Sequence, residues 1–502
     1  MLCNDGGGKV TIQELVRPPR SVRVLQKSLK NGLFWLFFVF IAFPDTLFAN
    51  QTDTIPSTLV RIDSISIHGN RRTMESYALR ELNVRVGDLL PRVGLAEKLE
   101  FDRLLLLNTR LFTRVVMEVV LLEADSSRLH LHYTVYESLY IFPIPVFELA
   151  DRNFNVWWSE FNRSLDRVNY GIDVSHINFT GRADVFKMAA IFGYSNKYSI
   201  AYKTPYINRK QTIGFQTSVS YSRSREVAFD TEENKLKFEV NPNDWQITRW
   251  YANAGITWRP HIFSRHSLVA EYHLNRVSEN IASDLNPNFF LNGQTQQRHI
   301  SLIYNLVIDY RDIHPYPLSG YRWVFEVRGN GLLPSDDLKL FRFYAEYNKY
   351  FSFNKRLSLE TIFKARTSLP RRQPPYFNNQ ALGYGGNFVR GYEYFVADGL
   401  DFGLVKASFH IELIDKTLDL SRLIPFRSFN VLPLKIYFSL NNDLGYAQDP
   451  WYGANNPLSN RILYGYGFGL DIVAFYNSTA RFEYSLNDLG HGGFYLNINT
   501  GF

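Results

Sequence analysis

From residue 138 onward the chain keeps one habit. Apolar and polar residues alternate, strand after strand, with charged side chains on one face and large apolar ones on the other. In RHISLIYNLVIDY the even positions Ile300, Leu302, Tyr304, Leu306, Ile308 and Tyr310 are apolar, while the odd ones include His299, Ser301, Asn305 and Asp309. YRWVFEVR sets Tyr321, Trp323, Phe325 and Val327 against Arg322, Glu326 and Arg328. A period of two is a β-strand with two unlike faces. A soluble sandwich alternates too, in shorter strands with the charged face outward. Here the strands run about 9–11 residues, the length a tilted transmembrane strand needs. In lipid every unpaired N–H and C=O costs several kcal/mol, so such strands must close into a barrel.

Fifteen strands start near residues 168, 185, 197, 212, 250, 266, 298, 321, 340, 356, 404, 433, 461, 478 and 492, and a sixteenth falls within 138–162. Sixteen is an even count, as bacterial barrels require. Short connections alternate with long ones such as 223–249, 276–297, 367–403 and 444–460. That is the rhythm of periplasmic turns and external loops. Two connections break it: 194–196 is too short and 414–432 too long. The fold class expected is mainly β: a 16-stranded transmembrane antiparallel barrel over 138–502, preceded by one small α+β domain.

The N-terminus reads as an export signal. Arg17, Arg20, Arg23, Lys27 and Lys30 precede an apolar run of 11 residues, Leu33 to Phe43. That is too short for a spanning helix and suited to a signal-peptide core. Residues 1–49 are read as the signal with a basic leader, cut after Ala49, and 50–58 as a linker. The leader is longer than a signal needs, which leaves the true start open. The single cysteine, Cys3, lies upstream of the cut, so the mature chain would carry no thiol. The formal net charge is +7, but its basic residues are dispersed and no nucleic-acid partner is expected.

Residues 59–137 form the small domain, in the order β-α-α-β-β. LVRIDSISI alternates, TMESYALREL places Met74, Tyr77, Ala78 and Leu82 on one helical face, and RLHLHYTVYE alternates again. Its His130 and His132 share the polar face. With no third ligand nearby they are a solvated strand face rather than a metal site. No G-x-S-x-G, H-E-x-x-H or Ser/His/acid set occurs, so neither enzymatic activity nor a cofactor or metal is expected. GYGFGLD, Gly465 to Asp471, is a glycine-smoothed strand and not a nucleotide loop.

One stretch does not fit its flanks: GGNFVRGYEYF, Gly385 to Phe395, a lone arginine on a glycine-rich bend in the longest loop. Read alone, it is a solvated loop arginine. Yet Val389, Arg390, Gly391 and Tyr392 match V-R-G-[FY], the barrel signature of the BamA/TamA superfamily of outer-membrane assembly and translocation proteins. They fall between the eleventh and twelfth strands, where that family has them. Gly69-Asn70, Arg80-Glu81-Leu82, Gly87 and LLNTRLF are similar to signatures of the family's POTRA domains. Asp309, Arg311, Asp312, Pro317 and Gly320 are similar to a second barrel pattern.

The resemblance implies that loop 367–403 folds into the lumen, with Arg390 meeting acids of the inner wall. Strand parity supplies two candidate partners. Leu434, Ile436, Phe438 and Leu440 would face lipid and Asp443 the lumen; Val405, Ala407, Phe409 and Ile411 would face lipid and His410 and Glu412 the lumen. Asp443 and Gly445 resemble the family's F-x-D-x-G, with Asn441 where Phe is usual. The resemblance also implies a Gram-negative outer membrane with POTRA in the periplasm. The partners implied are outer-membrane lipids, client outer-membrane or secreted proteins, and accessory periplasmic or lipoprotein subunits.

The expected function is protein insertion or translocation through a lateral seam. The alternatives are a partner-specific secretion pore and, from another class, a passive porin. The seam candidates are Pro143 and Pro145, which lack N–H groups, and Gly492, Gly493, Gly501 and Phe502 in the last strand. If 139–149 is only a linker, the first strand lies at 154–162 and the prolines drop out.

Overall fold

The computed structural model describes residues 59–122, 125–149, 168–426, 428–475 and 478–499. The expected signal, linker and cleavage point, the alternative first strand, and Gly501 and Phe502 lie outside these.

The small domain runs β1 (Leu59–His68), α1 (Glu75–Glu81), β2 (Leu89–Pro91), α2 (Leu95–Asn108), β3 (Phe112–Leu122) and β4 (Asp125–Glu137). A short strand, β2, interrupts the expected β-α-α-β-β order. The sheet order is β2-β1-β4-β3, with β1 and β4 parallel. Alternate residues Ile62, Leu129, Leu131 and Tyr133 turn into a core with Tyr77, Ala78 and Leu82 of the first helical segment and Leu99, Leu106 and Leu107 of α2. Met74 is exposed instead, because it precedes α1 and does not ride on its apolar face. Within this core Asp102 caps the α1–β2 connection, accepting the N–H groups of Asn83 (3.1 Å) and Val84 (2.9 Å), while burial pushes its carboxyl up from the usual range. His130 and His132 are held by Ser64 (2.5 Å) and Ser66 (2.6 Å) of β1 on the solvent face.

The barrel strands are β5 (Ile141–Leu149), β6 (Val168–Ile177), β7 (Val185–Gly193), β8 (Ser195–Thr204) and β9 (Ile213–Ser224). After a hairpin, β10 (Glu226–Glu232) and β11 (Lys235–Val240), come β12 (Ile247–His261), β13 (Ser264–Val277), β14 (Gln296–Asp309), β15 (Gly320–Asn330), β16 (Leu340–Ser352) and β17 (Leu357–Leu369). The last five are β18 (Asp401–Asp419), β19 (Val431–Gln448), β20 (Ile462–Ala474), β21 (Ser478–Asn487) and β22 (Gly492–Asn499). Without the hairpin they form one 16-stranded antiparallel sheet from β5 to β22. The two irregular connections have different origins. β7 and β8 are joined by Tyr194 alone, whereas β18 and β19, 19 and 18 residues long, extend into both ends of the supposed long turn and leave 420–430 between them.

Outward faces carry the large apolar residues. Tyr170, Phe192, Tyr198, Tyr221 and Trp250 pass from ring to ring at 4.5–6.4 Å across β6 to β12, an aromatic band of the kind that marks a membrane boundary. No helix among the described residues is long and apolar enough to cross a membrane.

The small domain lies against the near-end turns of the barrel. Thr73 Oγ1 binds Tyr140 (2.8 Å) and Asn178 (3.0 Å), the Glu81 carboxylate takes both Arg259 nitrogens (2.7 and 2.8 Å), Asn108 donates to the Asp312 carbonyl (2.8 Å), and Thr113 donates to the Ser428 carbonyl (2.6 Å). Burial in this interface pushes the Arg80 guanidinium below its ordinary range. At the far end the β10–β11 hairpin leans across to the other loops. Its turn residue Asn234 uses all its groups: its N–H donates to Asn456 (3.0 Å), its Nδ2 to the Val396 carbonyl (3.1 Å), and its Oδ1 accepts from Leu458 (3.1 Å).

Candidate functional site

The loop between β17 and β18 is not in solvent. It packs against the inner faces of β18, β19 and β20 through Leu382, Val389, Tyr392, Leu404, Ala447 and Leu463. At its tip Arg390 is 4% exposed. The guanidinium donates to Asp443 Oδ1 (2.9 Å) and to Ser408 Oγ (3.1 Å), and its Nε lies 2.9 Å from Glu483 Oε1. The Arg390 backbone N–H donates to the other Asp443 oxygen at 3.0 Å. Lys406 completes the cluster, 3.2 Å from Asp443 and donating to the Phe388 carbonyl at 3.0 Å. Two cations thus meet two carboxylates, and Ser485 (2.7 Å) and Asn441 (3.3 Å) also donate to Glu483 Oε1. Added hydrogen bonds of this kind offset the cost of taking a charge pair out of water.

The backbone reaches this depth because glycine allows it. Gly391 has φ +80, the left-handed region, and presents its carbonyl to Asn487 Nδ2 at 2.6 Å. Gly465 of β20 clears the floor: a Cβ there would lie 1.8 Å from the Arg390 carbonyl oxygen. Tyr392 anchors the far side by donating its hydroxyl to Asp488.

Of the two inner-wall candidates, Asp443 meets Arg390 and Glu412 does not. Glu412 faces inward, as its parity requires, but accepts from Tyr437 (3.1 Å) and lies 3.5 Å from Lys435, near the small-domain end. Parity assigns a face and not a height. Glu412 pairs in register with Tyr437, six residues along β19 from Asp443. The second carboxylate is Glu483, inward between the outward Phe482 and Tyr484. The sequence reading did not name it, although the same parity applied to STARFEYSLN turns Glu483 inward.

A second polar cluster lies nearer the small domain. Tyr316, from the turn after β14, donates to Asp471 (2.8 Å) and shares a 2.7 Å contact with His410, while Arg481 donates to Asp471 at 2.9 Å. The turn carries the Asp309–Gly320 pattern: Arg311 forks onto Asp309 at 2.8 and 2.7 Å, and Asp312 accepts from Ile313 (2.8 Å) and Leu318 (3.1 Å). Burial pushes His314 in this turn down to about 4. No group of three or more metal-ligating side chains occurs among the described residues.

The sheet has two free ends. β5 pairs with β6 and β22 with β21, and no pairing joins β5 to β22 among the described residues. The unpaired groups follow from alternation. Ile177 donates to the Tyr140 carbonyl, so even residues of β5 turn their backbone toward β6 and odd ones toward the free edge. Pro143 and Pro145 are therefore missing N–H donors on that edge. Asn487 donates to the His491 carbonyl, which leaves Gly492, Phe494, Leu496 and Ile498 on the free edge of β22.

The Omp85 superfamily domain matches residues 178–500. The chain belongs to the Omp85 superfamily. It is accordingly an outer-membrane β-barrel protein. Among solved structures it is similar to CdiB from Escherichia coli, with TM-score 0.52 and 12% identity over 88% of this chain and 76% of that one. It is also similar to BamA from Haemophilus ducreyi lacking POTRA domains 1–3, with TM-score 0.47 and 12% identity over 88% of this chain and 84% of that one. CdiB from Acinetobacter baumannii gives TM-score 0.45 and 13% identity over 88% and 74%. Among curated proteins none matches. At these identities the likeness is one of fold, and what this Omp85 member does must come from its own residues.

Proposed function

We propose that this Omp85 protein inserts or translocates client polypeptides at the outer membrane, and that the edge between β5 and β22 is where the client pairs. The small domain acts as a POTRA domain in the periplasm. The observation that carries the reading is the donor-poor edge of β5, where Pro143 and Pro145 leave the seam with fewer hydrogen bonds than any other strand pair needs. An incoming strand supplies groups that β22 alone cannot match, and in lipid each satisfied group is worth several kcal/mol.

Within the small domain, client capture falls to an edge strand. β4, which holds Leu129–Val135, lies between β1 and β3 and has no free edge. β3 is the long free edge, and its Val116, Val119 and Val120 are exposed.

A passive porin fits less well, because the Arg390 loop packs on the inner wall and, with the far-end hairpin, roofs part of the lumen. The test is a lock. Cysteines are placed on β5 and β22 and oxidised, with Cys3 in the leader replaced. Loss of client delivery with the barrel still folded, and recovery on reduction, supports the reading. A locked barrel that still delivers clients excludes it and points to transport through the lumen.

A further inference from the structure

The inner wall of β8, β9 and β12 carries charges that the proposed function does not use. Lys197, Ser222 and Arg249 are register partners on these three adjacent strands. Parity turns all three inward, since Tyr198, Tyr221 and Trp250 beside them belong to the outward aromatic band. Two inter-strand spacings, about 10 Å, separate the Lys197 and Arg249 backbones, close enough for both long side chains to reach one group between them. They line a chamber of about 610 Å³, within the range that holds a small organic ligand.

Elsewhere in the lumen several arginines have acidic partners: Arg322 has Glu346 (2.7 Å), Arg328 has Glu271 (2.8 Å), and Arg481 has Asp471 (2.9 Å). Here the contacts are aromatic. Arg249 sits 5.5 Å from the Phe377 ring, while Arg223, of opposite parity on β9, is taken up by the Trp245 ring at 4.0 Å. Glu226 is the sole carboxylate among the described lining residues, and its Oε2 already accepts from Tyr194 at 3.2 Å. Two cations, Lys197 and Arg249, thus face one engaged carboxylate. The roof is apolar and aromatic, built from Val227 and Phe238 of the hairpin and Tyr376 and Phe377 of the Arg390 loop. Low-dielectric walls around unpaired cations concentrate an anionic ligand.

We propose that this chamber binds a small organic anion, a phosphate or carboxylate carried on an aromatic body. Lys197 and Arg249 clasp the charged end, Ser222 between them donates its hydroxyl, and the rings of Tyr376 and Phe377 receive the body.

Phenyl phosphate is the probe, titrated calorimetrically into the full-length protein in detergent. One site is expected, with Kd raised about tenfold or more by Lys197→Gln or Arg249→Gln, since each removes a charge-assisted hydrogen bond. Both positions lie on a solvated wall, and unchanged heat-modifiable gel migration checks that the variants fold. Bound phenyl phosphate should also protect Lys197 from acylation. Three results overturn the proposal: no binding to the unaltered protein, binding that survives in the double variant, or equal binding of neutral benzyl alcohol. Inorganic phosphate binding as tightly as phenyl phosphate overturns the aromatic half and leaves a simple anion site.

Discussion

The two sides of the lumen are built from the same alternating pattern and end up in opposite states. On β18 to β21, Ser408, His410, Ser439, Asn441, Asp443, Asp471, Glu483 and Ser485 are all buried. On β7 to β13, Lys187, Lys197, Lys203, Arg249 and Arg265 point inward by the same parity and are exposed to the lumen. The first wall is dry because the Arg390 loop lies on it, and every charge there has a partner. The second borders the open part of the lumen, and none of these five cations has a carboxylate partner among the described residues. An inward polar face is thus a requirement of a barrel, and its wetness is decided by what else packs there.

This contrast predicts unequal costs for the same kind of substitution. Arg390→Ala leaves Glu483 without its cation and Asp443 with Lys406 alone in a dry site, and breaking a buried pair costs about 3–5 kcal/mol. The loop should undock, seen as new protease cleavage within 370–400 and a lowered melting temperature. Unchanged protection would mean that the loop is held by its apolar contacts alone.

Gly465→Ala tests the floor without touching a charge. Its Cβ meets the Arg390 carbonyl, and overpacking of this kind costs about 1–3 kcal/mol. The same loop cleavage should appear more weakly, while Gly490→Ala, where a Cβ meets nothing within 4 Å, should leave the loop protected. Equal effects at the two glycines would show that backbone strain, not loop contact, is responsible.

Asp398, in the loop itself, accepts from Tyr384 at 2.5 Å, has its other oxygen unpartnered, and is pushed up to about 6, chiefly by burial. The folded carboxyl therefore holds a proton that the undocked one has released. Loop stability should fall as pH rises from the ordinary 3.8 to about 6 and level off above that. Asp398→Asn should flatten this part of the profile in pH-resolved proteolysis; an unchanged slope would assign it to other carboxylates.

On the wet wall the expected effect is smallest. Lys203→Gln and Arg265→Gln should change stability within about 0.5 kcal/mol, as for surface sites. A larger loss on thermal unfolding would mean that this wall is not solvated.

Much of this was legible in the chain. The fifteen marked strands all recur, and β5 falls at 141–149. Alternation names each face because successive side chains must point to opposite sides, whatever the tertiary context. Arg390 was recognisable from four residues, and Asp443 from parity. Glu412 was misassigned as its partner because a one-dimensional pattern carries no height. The β10–β11 hairpin was hidden inside a long connection, and Asn234 looked like any turn residue. Tyr316 reached the lumen from a turn that alternation does not describe.

By itself, then, the sequence determined the class of the protein: period-two strands of membrane-crossing length leave the backbone no other way to satisfy its hydrogen bonds in lipid. It also determined which side chains look inward. Only the tertiary structure decided which inward charges meet. Arg390, Asp443 and Glu483 come from segments 40 to 93 residues apart, and their distances depend on how deeply a glycine-bearing loop descends, which no local pattern encodes. The same descent dried one wall and left the other open, and with it settled where an unpaired cation can persist.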